Sequence, residues 1–415
     1  MSRSDSGGAA SAEQDGSSGV AAISEAGWQC EQAWARISGH RLLERTYRFV
    51  CIPSPTGDEA VFARYFGQEL EAAGLEVSLD SEWPGSPSVL GRWRGRGGGP
   101  TLQLDGHTDA IPMPHREAEL DHPHRIVRGR GAADMKGGLA AIAEAVRALK
   151  EAGVELRGDV LVTAHGLHEA PLGDQRTLRS LLRRGIAGDA ALVAELGHDH
   201  LPVAAKGMSI FRLEIVREGK VLHEVELTDR GQNPLSALRL VLDWLDARGV
   251  ELTREENTLA GVESLFVGQV HGGDFYNRVP LVAEVVGTRR YAVPHSLETV
   301  RKEFEGLCRQ VEGATGLGAR VELQEVGIPY EMRPHEPIIT AVRRAYRNAT
   351  GSPLPLGGAG AVGNAADFVA SGVPAVYHGV NQSTAHSDDE FVTEEDLVRA
   401  ARVYAATIVE YCGCV

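Results

Sequence analysis

Short apolar runs recur along the chain, and several of them end in clusters of polar, reactive side chains. The runs at 101–104, 160–163 and 190–194 lead directly into such clusters, and 374–377 is a fourth run of the same kind. Continuous apolar runs of this length are typical of strands that are buried on both faces of a sheet. These four segments are therefore predicted to be core strands.

Segments with helical spacing alternate with these strands. A helix is predicted over about 138–152 from one apolar stripe, which consists of Leu139, Ile142, Val146 and Leu149. Helices are also predicted over 60–73 and from a capping-box-like start at Thr393 to residue 411. Strands that alternate with helices predict an α/β domain with a largely parallel sheet flanked by helices. In such sheets, active sites lie at the carboxyl ends of the strands.

The middle of the chain has a different order of elements. The pattern there predicts a strand, a long helix, a strand pair and a further helix at 208–216, 234–248, 264–270 with 283–287, and 296–313. This order is typical of an α+β domain, which we expect to be inserted into the first domain. The predicted organisation is a disordered tail at 1–24, a main domain formed by 25–206 and 326–415, and an inserted domain at 207–325.

Composition narrows the class of protein. Of the 415 residues, 43% are hydrophobic and 24% charged, as in ordinary globular proteins. The net charge of −15 argues against binding to nucleic-acid phosphates. No apolar run is long enough to span a bilayer, and the N-terminus lacks a secretory pattern. The five scattered cysteines give no disulfide framework, so the sequence predicts a reduced, cytoplasmic protein without membrane or nucleic-acid partners.

Candidate metal ligands stand in loops of small residues at the predicted strand ends. They are His107, Asp134, Glu169, Glu195 and His386. Imidazole and carboxylate groups are ligands that Zn²⁺ prefers. Asp109 follows His107 by two residues and lies on the same side of an extended segment. It is therefore placed to accept the other ring N–H of His107 and to fix its tautomer.

Several motifs resemble one known family. The segments are G-H-T-D-A-I-P at 106–112, G-R-G-A-A-D-M-K-G-G at 129–138, A-H-S-D-D-E at 385–390 and P-S-P-T-G-D-E at 53–59. They are similar to signature segments of the dinuclear-zinc aminoacylase/deacylase metallopeptidases. That family includes acetylornithine deacetylase, succinyl-diaminopimelate desuccinylase, aminoacylase and bacterial glutamate carboxypeptidase. The resemblance extends over nearly the whole chain after the tail.

The resemblance implies a ligand set and an activity. Asp134 would bridge two divalent metal ions, with His107 and Glu195 completing one site and Glu169 and His386 the other. Zinc is the expected metal, and cobalt or manganese would suit similar sites. The implied reaction is cleavage of the amide bond of an N-acyl amino acid or small peptide-like substrate by a dinuclear-metal-bound hydroxide.

The inserted domain also carries positions that resemble the family. His223 matches a histidine that reaches the active site of a neighbouring subunit and stabilises the developing oxyanion. Asn277 and Arg290 match residues that hold the carboxylate of the substrate, a task that suits the guanidinium fork. The resemblance thus implies a catalytic main domain and an inserted lid that mediates homodimerisation.

One departure from the family concerns the general base. The family usually has two adjacent acidic residues where this chain has His168-Glu169, and the first of them is the base. Three outcomes are open: His168 acts as the base, His165 or Asp174 replaces it, or hydrolysis is lost. The last outcome would leave an acyl-transfer or amide-forming enzyme, or a binding protein. A register shifted by one, with His168 as ligand and Glu169 as base, is open as well.

Three further segments have plainer interpretations. Lys136, which precedes two glycines, is interpreted as part of a helix start only. The G-x-G-x-x-G at 358–363 lacks both a clear preceding strand and an acid about twenty residues later, so no dinucleotide site is predicted. In the run from Asn364 to Asp367, the acid fits the family pattern, whereas the surrounding loop is unusual.

Overall fold

The computed structural model of the protein describes residues 25–254, 259–360 and 363–415. The tail predicted at 1–24 lies outside these residues. None of the described helices has the length and apolar character that a membrane span requires.

Residues 25–206 form five α-helices and eight strands. The helices are α1 (Glu25–Trp34), α2 (Gly39–Cys51), α3 (Ala60–Ala72), α4 (Gly137–Glu151) and α5 (Arg176–Arg183). The strands are β1 (Glu76–Asp80), β2 (Ser88–Trp93), β3 (Leu102–His107), β4 (Glu119–Asp121), β5 (Ile126–Arg128), β6 (Val160–His165), β7 (Ala190–Val193) and β8 (Leu201–Ala205). Every residue of β3, β6 and β7 is buried, as predicted for core strands.

The next part is a four-stranded antiparallel sheet with two long helices. Its elements are β9 (Gly207–Val216), β10 (Leu222–His223), α6 (Pro234–Leu252), β11 (Ser264–Gly272), β12 (Arg278–Val279), β13 (Val282–Tyr291), α7 (Leu297–Thr315) and β14 (Gly318–Gly327). The strand order is β11-β13-β9-β14, and β10 pairs separately with β12. Burial alternates along β9 and β13 because only one face of this sheet is covered by the helices.

The residues after β14 add strands to the sheets that the first part forms. They form β15 (Tyr330–Glu331), α8 (Pro337–Thr350), β16 (Leu356–Ala359), α9 (Asn364–Ala370), β17 (Ala375–Tyr377), β18 (Phe391–Thr393) and α10 (Glu394–Cys412). The side chain of Thr393 caps α10 by accepting the N–H of Asp396, as the capping pattern predicts. Helix α10 packs against α4 and α8.

The central sheet has the order β1-β2-β6-β3-β7-β17. Strands β6, β3, β7 and β17 run parallel, whereas β2 pairs with β6 and β1 with β2 in antiparallel register. Helices cover the sheet, so the predicted α/β class with a largely parallel sheet is confirmed.

Two large clusters of buried apolar side chains stabilise the chain. One cluster contains residues from the first and last parts of the chain, from Cys30 to Cys412. The other contains only residues between Phe211 and Leu317. The second cluster fills the space between the antiparallel sheet and the helices α6 and α7. The boundaries at 206/207 and 325/326 stay a prediction.

Candidate metal centre

The carboxyl ends of the parallel strands meet at one edge of the central sheet. His107 ends β3 and lies beside His165, which ends β6. Strand β7 ends two residues before Glu195, and its neighbour β17 leads into the loop that carries His386. Asp134 lies in the irregular turn between β5 and α4. The topology therefore brings side chains from distant parts of the sequence to one place.

The two carboxylate oxygens of Asp134 face two different histidines. Its Oδ1 lies 3.1 Å from Nε2 of His107, and its Oδ2 lies 3.2 Å from Nε2 of His386. On one side, His107 Nε2 is 3.7 Å from Oε2 of Glu195. On the other side, His386 Nε2 is 3.0 Å from Oε1 of Glu169. The five candidate ligands thus form two sets that share Asp134.

The charges of this cluster fit bound cations. Oε1 of Glu195 is buried and has no hydrogen-bond partner among the described residues. Burial and the nearby carboxylates of Asp134 and Glu169 raise the pKa of Glu195 to about 8. The hydrogen bonds that His386 donates to the same two carboxylates raise its pKa to about 10. A cluster that stabilises imidazolium ions and protonated carboxyl groups is one in which divalent cations would supply the missing positive charge.

Asp109 supports His107 and the loop that carries Glu169. Its backbone oxygen lies 3.0 Å from Nδ1 of His107, closer than its own carboxylate Oδ1 at 3.5 Å. Its Oδ2 accepts the backbone N–H groups of His168 and Glu169, at 3.0 and 2.7 Å. The structure therefore differs in part from the prediction, because the main chain at this position is the nearest acceptor for the ring.

His168 lies within this cluster. Its ring is stacked on that of His107, with centroids 4.1 Å apart and planes 2° apart. Potential ligand atoms of His107, His168 and Glu195 lie within 4.8 Å of one another. Burial, together with the positive charge of His107, lowers the pKa of His168. Its Nδ1 lies 2.8 Å from Oδ1 of Asn364.

The other two base candidates differ in their surroundings. His165 is fully buried, and its Nε2 lies 3.3 Å from Oδ2 of Asp105. Asp174 is about half exposed and forms an ion pair with Arg176. Of the three, His168 is the one that stacks on a candidate ligand.

Two residues that sequence analysis did not select hold Asp134 in place. Oε1 of the buried Glu390 accepts the N–H groups of Ala133 and Asp134, at 3.0 and 3.1 Å. The side chain of Gln382 donates to Oδ1 of Asp134 at 3.1 Å. Glu390 closes the A-H-S-D-D-E segment and so could have been considered, whereas no local pattern distinguishes Gln382.

The interpretation of Lys136 as part of a helix start is incomplete. Helix α4 does begin at the next residue, but the side chain of Lys136 is buried. Its ammonium group donates to the carbonyl oxygens of Phe49 and Ile52 at the end of α2, at 3.0 and 2.6 Å. It also lies 4.3 Å from the centre of the Phe62 ring. Lys136 therefore ties the turn that carries Asp134 to α2.

The predicted substrate residues lie in the inserted part. Nε2 of His223 and Nδ2 of Asn277 are 3.1 Å apart across the β10–β12 pair; the side chain of His223 is exposed, and Asn277 is partly buried. Nη1 of Arg290 donates to the carbonyl oxygen of Gly360 at 3.3 Å. Three residues later, Gly363 lies against Glu195. Arg290 thus contacts the loop that borders the ligand cluster, whereas His223 and Asn277 contact each other.

Comparison with known proteins gives matches over most of the chain. Succinyl-diaminopimelate desuccinylase of Methylorubrum extorquens is 26% identical over 396 residues, which cover 90% of this chain and 100% of that protein. Aminopeptidase PepT of Bacillus cereus shares the fold with a TM-score of 0.74 at 19% identity, covering 91% of this chain and 99% of that chain. The YXEP protein of Bacillus subtilis, described as a dinuclear metal binding peptidase from family M20, gives a TM-score of 0.67 at 17% identity, with 90% and 99% covered.

The family match includes three of the four motifs on which the resemblance depends. The family model of Peptidase family M20/M25/M40 matches residues 103–410, which are most of the chain. This match confirms the resemblance and the predicted class of enzyme, a metal-dependent hydrolase of amide bonds. The chain therefore belongs to peptidase family M20/M25/M40.

Proposed function

We propose that the protein hydrolyses the amide bond of an N-acyl amino acid or a small peptide-like substrate, with two divalent cations bound at the sheet edge. The observation that carries this proposal is the position of Asp134 between His107 and His386, with one carboxylate oxygen towards each. A carboxylate in this position is suited to bridge two cations, because each oxygen has its own lone pairs.

The ligands divide into two sets around Asp134. His107 and Glu195 would hold one cation, and Glu169 and His386 the other. When bound, the cations would polarise the acyl carbonyl and lower the pKa of a water molecule. Zinc is the metal that we propose first, and cobalt and manganese are alternatives because they accept the same ligands. The B. subtilis relative is described as a dinuclear metal binding peptidase, which supports two cations rather than one.

His168 is proposed as the group that moves the proton. Its Nε2 would accept a proton from water as the oxygen attacks the acyl carbon, and would then donate that proton to the leaving nitrogen. The C–N bond breaks, the acyl group gains the hydroxyl, and the amine leaves neutral. The contact of Nδ1 with Asn364 supports this role, because it leaves Nε2 free of hydrogen bonds to the residues that the structure describes. The desuccinylase and peptidase relatives do not favour the alternative of a binding protein or an acyl-transfer enzyme.

Arg290 is the proposed anchor for the carboxylate of the substrate, together with Asn277. Support comes from its contact with the loop at Gly360, next to the ligand cluster. Because the sequence relatives are named succinyl-diaminopimelate desuccinylases, N-succinyl amino acids are the first substrates to test.

A homodimer is part of this proposal. Strand β11 is an edge of its sheet, with Phe266 and Val270 65% and 46% exposed, and α6 beside it exposes Leu235 and Leu240. An apolar edge strand of this kind is suited to pair with a second copy. The exposed His223 would then act in the site of the partner subunit. The cytoplasmic location stays a prediction.

The proposal is tested by metal content and turnover measured together. The purified protein, loaded with Zn²⁺, Co²⁺ or Mn²⁺, is assayed for amine release from N-succinyl and N-acetyl amino acids and from dipeptides. We expect two ions per chain by elemental analysis, turnover of at least one substrate, and loss of both in Asp134→Ala. Asp243→Ala is the control, because that carboxylate is 71% exposed on α6. Two bound ions without any turnover would contradict the proposed hydrolysis.

A further inference from the structure

A chain of buried polar side chains leads from strand β3 to His168. Oδ2 of Asp105 accepts from Nδ2 of Asn364 at 3.1 Å, and Oδ1 of Asn364 lies 2.8 Å from Nδ1 of His168. Asp105 and Asn364 are both fully buried. The two residues are 259 positions apart, and they meet because α9 begins beside the carboxyl end of β3. These hydrogen bonds connect the ring of His168 to the carboxylate of Asp105.

The chemistry of the first contact sets the direction of the amide. An ionised carboxylate can only accept hydrogen bonds, so the group that faces Asp105 must be the NH₂ of Asn364. The amide oxygen then faces His168, and this oxygen can only accept. Nδ1 of His168 must therefore carry the hydrogen that lies between the two side chains.

The position of Gln175 is consistent with this assignment. The structure places the amide nitrogen of Gln175 2.9 Å from Nδ1 of His168 and leaves its buried Oε1 without a partner among the described residues. Exchange of the oxygen and nitrogen positions of this amide would give that oxygen a partner and present a second acceptor to the same N–H. Both neighbouring amides then favour a hydrogen on Nδ1.

We propose that Asp105 and Asn364 are positioning residues that keep His168 in the Nδ1–H tautomer and leave Nε2 with its lone pair. This inference rests on the proposed function, in which Nε2 moves the proton during amide hydrolysis. A carboxylate base has two equivalent oxygens and needs no such support. An imidazole in the same place needs a partner that selects one nitrogen, because only the unprotonated nitrogen can accept a proton.

The carboxylate of Asp105 is itself held in one orientation. Its Oδ1 accepts from the hydroxyl of Thr163, and this hydroxyl accepts in turn from Nε2 of Gln103 at 2.7 Å. The hydrogen of the Thr163 hydroxyl is therefore directed to Asp105. A residue at position 105 must present an acceptor to Thr163, which leaves its second polar atom for Asn364.

This geometry makes the near-isosteric variant Asp105→Asn a sharp test. Its amide oxygen would stay with Thr163, so that its NH₂ faces Asn364. Asn364 would then turn its NH₂ towards His168 and its oxygen towards position 105 and Nε2 of His165, which now lies 3.1 Å from Nδ2 of Asn364. That NH₂ needs a lone pair on Nδ1, so the hydrogen of His168 moves to Nε2.

The tautomer is measured by long-range ¹H–¹⁵N correlation spectra of the Zn²⁺-loaded full chain with labelled histidines, with the His168 signals assigned from their absence in His168→Gln. We expect a pyrrole-type Nδ1 in the unmodified protein and a pyridine-type Nδ1 in Asp105→Asn. The kcat for an N-succinyl amino acid should fall about 100-fold in Asp105→Asn, with KM and zinc content unchanged. Asp243→Asn, the same exchange at an exposed site, should change neither the spectrum nor kcat.

A pyridine-type Nδ1 of His168 in the unmodified protein overturns the inference, and this measurement does not depend on any variant. An unchanged His168 spectrum and kcat in Asp105→Asn overturn it as well. Asn364→Leu provides a second variant, in which both tautomers of His168 should become populated. Absence of turnover in the unmodified protein would contradict the proposed hydrolysis, while the spectra would still decide the role of Asp105 and Asn364.

Discussion

The imidazole rings of His107 and His168 are stacked in parallel, 4.1 Å apart between centroids. Because His107 is fully buried at the end of β3, its ring is a fixed surface against which His168 packs. The loop of His168 is held from the other side by its backbone N–H bond to Asp109. The residue that replaces the usual acid of the family is thus fixed by stacking and by hydrogen bonds.

Removal of the His168 side chain should affect turnover much more than metal binding. In His168→Ala we expect kcat to fall by about 100-fold or more, the range for loss of a general base. Zinc content should stay at the level of the unmodified protein, because the proposed ligands remain. His168→Glu should keep more turnover than His168→Ala, because a carboxylate can also accept the proton.

These variants are compared by steady-state kinetics and by elemental analysis of the same samples. His124→Ala is a suitable control, because that side chain is 73% exposed and pairs only with Asp121 among the contacts seen in the described residues. Loss of one ion per chain in His168→Ala would contradict the role as base and would support His168 as a ligand.

Replacement of Glu390 should weaken the hold on Asp134. In Glu390→Ala the N–H groups of Ala133 and Asp134 lose their acceptor, which should lower the free energy of unfolding by about 1–3 kcal/mol. The affinity for Zn²⁺ should fall by about 10- to 100-fold, as for other residues that orient metal ligands. Urea unfolding and competition with a chelator measure the two effects.

Glu390→Gln keeps an oxygen for the two N–H groups, so its effects should be smaller than those of Glu390→Ala. Its new amide NH₂ would face the guanidinium group of Arg130, which now pairs with Oε2. Equal metal affinity in the unmodified protein and in Glu390→Ala would show that Asp134 keeps its position without this acceptor.

Two glycines of one loop form a matched pair for a test of space near the ligands. A Cβ atom at Gly363 would lie 2.7 Å from the hydroxyl of Tyr377 and 3.0 Å from Oε1 of Glu195. At Gly360 a Cβ atom would meet no heavy atom of the described residues within 4 Å. Gly363→Ala should therefore displace Glu195 and lower zinc affinity about 10-fold, the lower end of the effects of altered ligand orientation. Gly360→Ala should leave it unchanged.

Calorimetric titration of both metal-free variants with Zn²⁺ measures this difference. If Gly363→Ala binds zinc as tightly as Gly360→Ala, Glu195 either tolerates the displacement or is not a ligand.

Mixed dimers test whether His223 acts in the partner subunit. His223→Ala and Asp134→Ala should each form inactive homodimers, with kcat about 100-fold lower for loss of an oxyanion donor in the first case. In the mixed dimer, one site combines an intact Asp134 with an intact His223 from the other chain. Unfolding and refolding the two variants together should therefore restore turnover.

The control is the double variant Asp134→Ala/His223→Ala mixed with the unmodified protein, which should contain no complete site in the mixed dimer. Size-exclusion chromatography with light scattering checks the oligomeric state throughout. No restored turnover in verified mixed dimers would place His223 outside the partner's site, and a monomer at all concentrations would contradict the dimer.

The buried strands and the family motifs were predictable because their patterns are local. Strands β3, β6, β7 and β17 begin with or consist of short, mostly apolar runs, which are typical of strands buried on both faces. The antiparallel β1 was not predicted, because its mostly exposed residues alternate between polar and apolar over only five positions and form no apolar run. The five candidate ligands were selected from motifs, and their roles stay a prediction.

Contacts between distant segments were not predictable in the same way. Nothing in the sequence near Asn364 indicates a contact with Asp105, and the pairing depends on how α9 meets β3. The same holds for Gln382, which reaches Asp134 from a loop 248 positions later. Identification of such supports requires the three-dimensional arrangement, because they share neither a motif nor a spacing with the residues that they hold.

The position of β17 has a consequence during synthesis of the protein. This strand pairs with β7, but the whole segment from β9 to β14 is translated between them. A nascent chain therefore exposes β7 as an open apolar edge until the ribosome has passed the inserted segment, and such edges invite aggregation. His386 emerges later still, so a partly translated chain holds at most one of the two ligand sets. Ribosome-bound intermediates should accordingly bind one metal ion instead of two. They should also benefit from chaperones that shield β7.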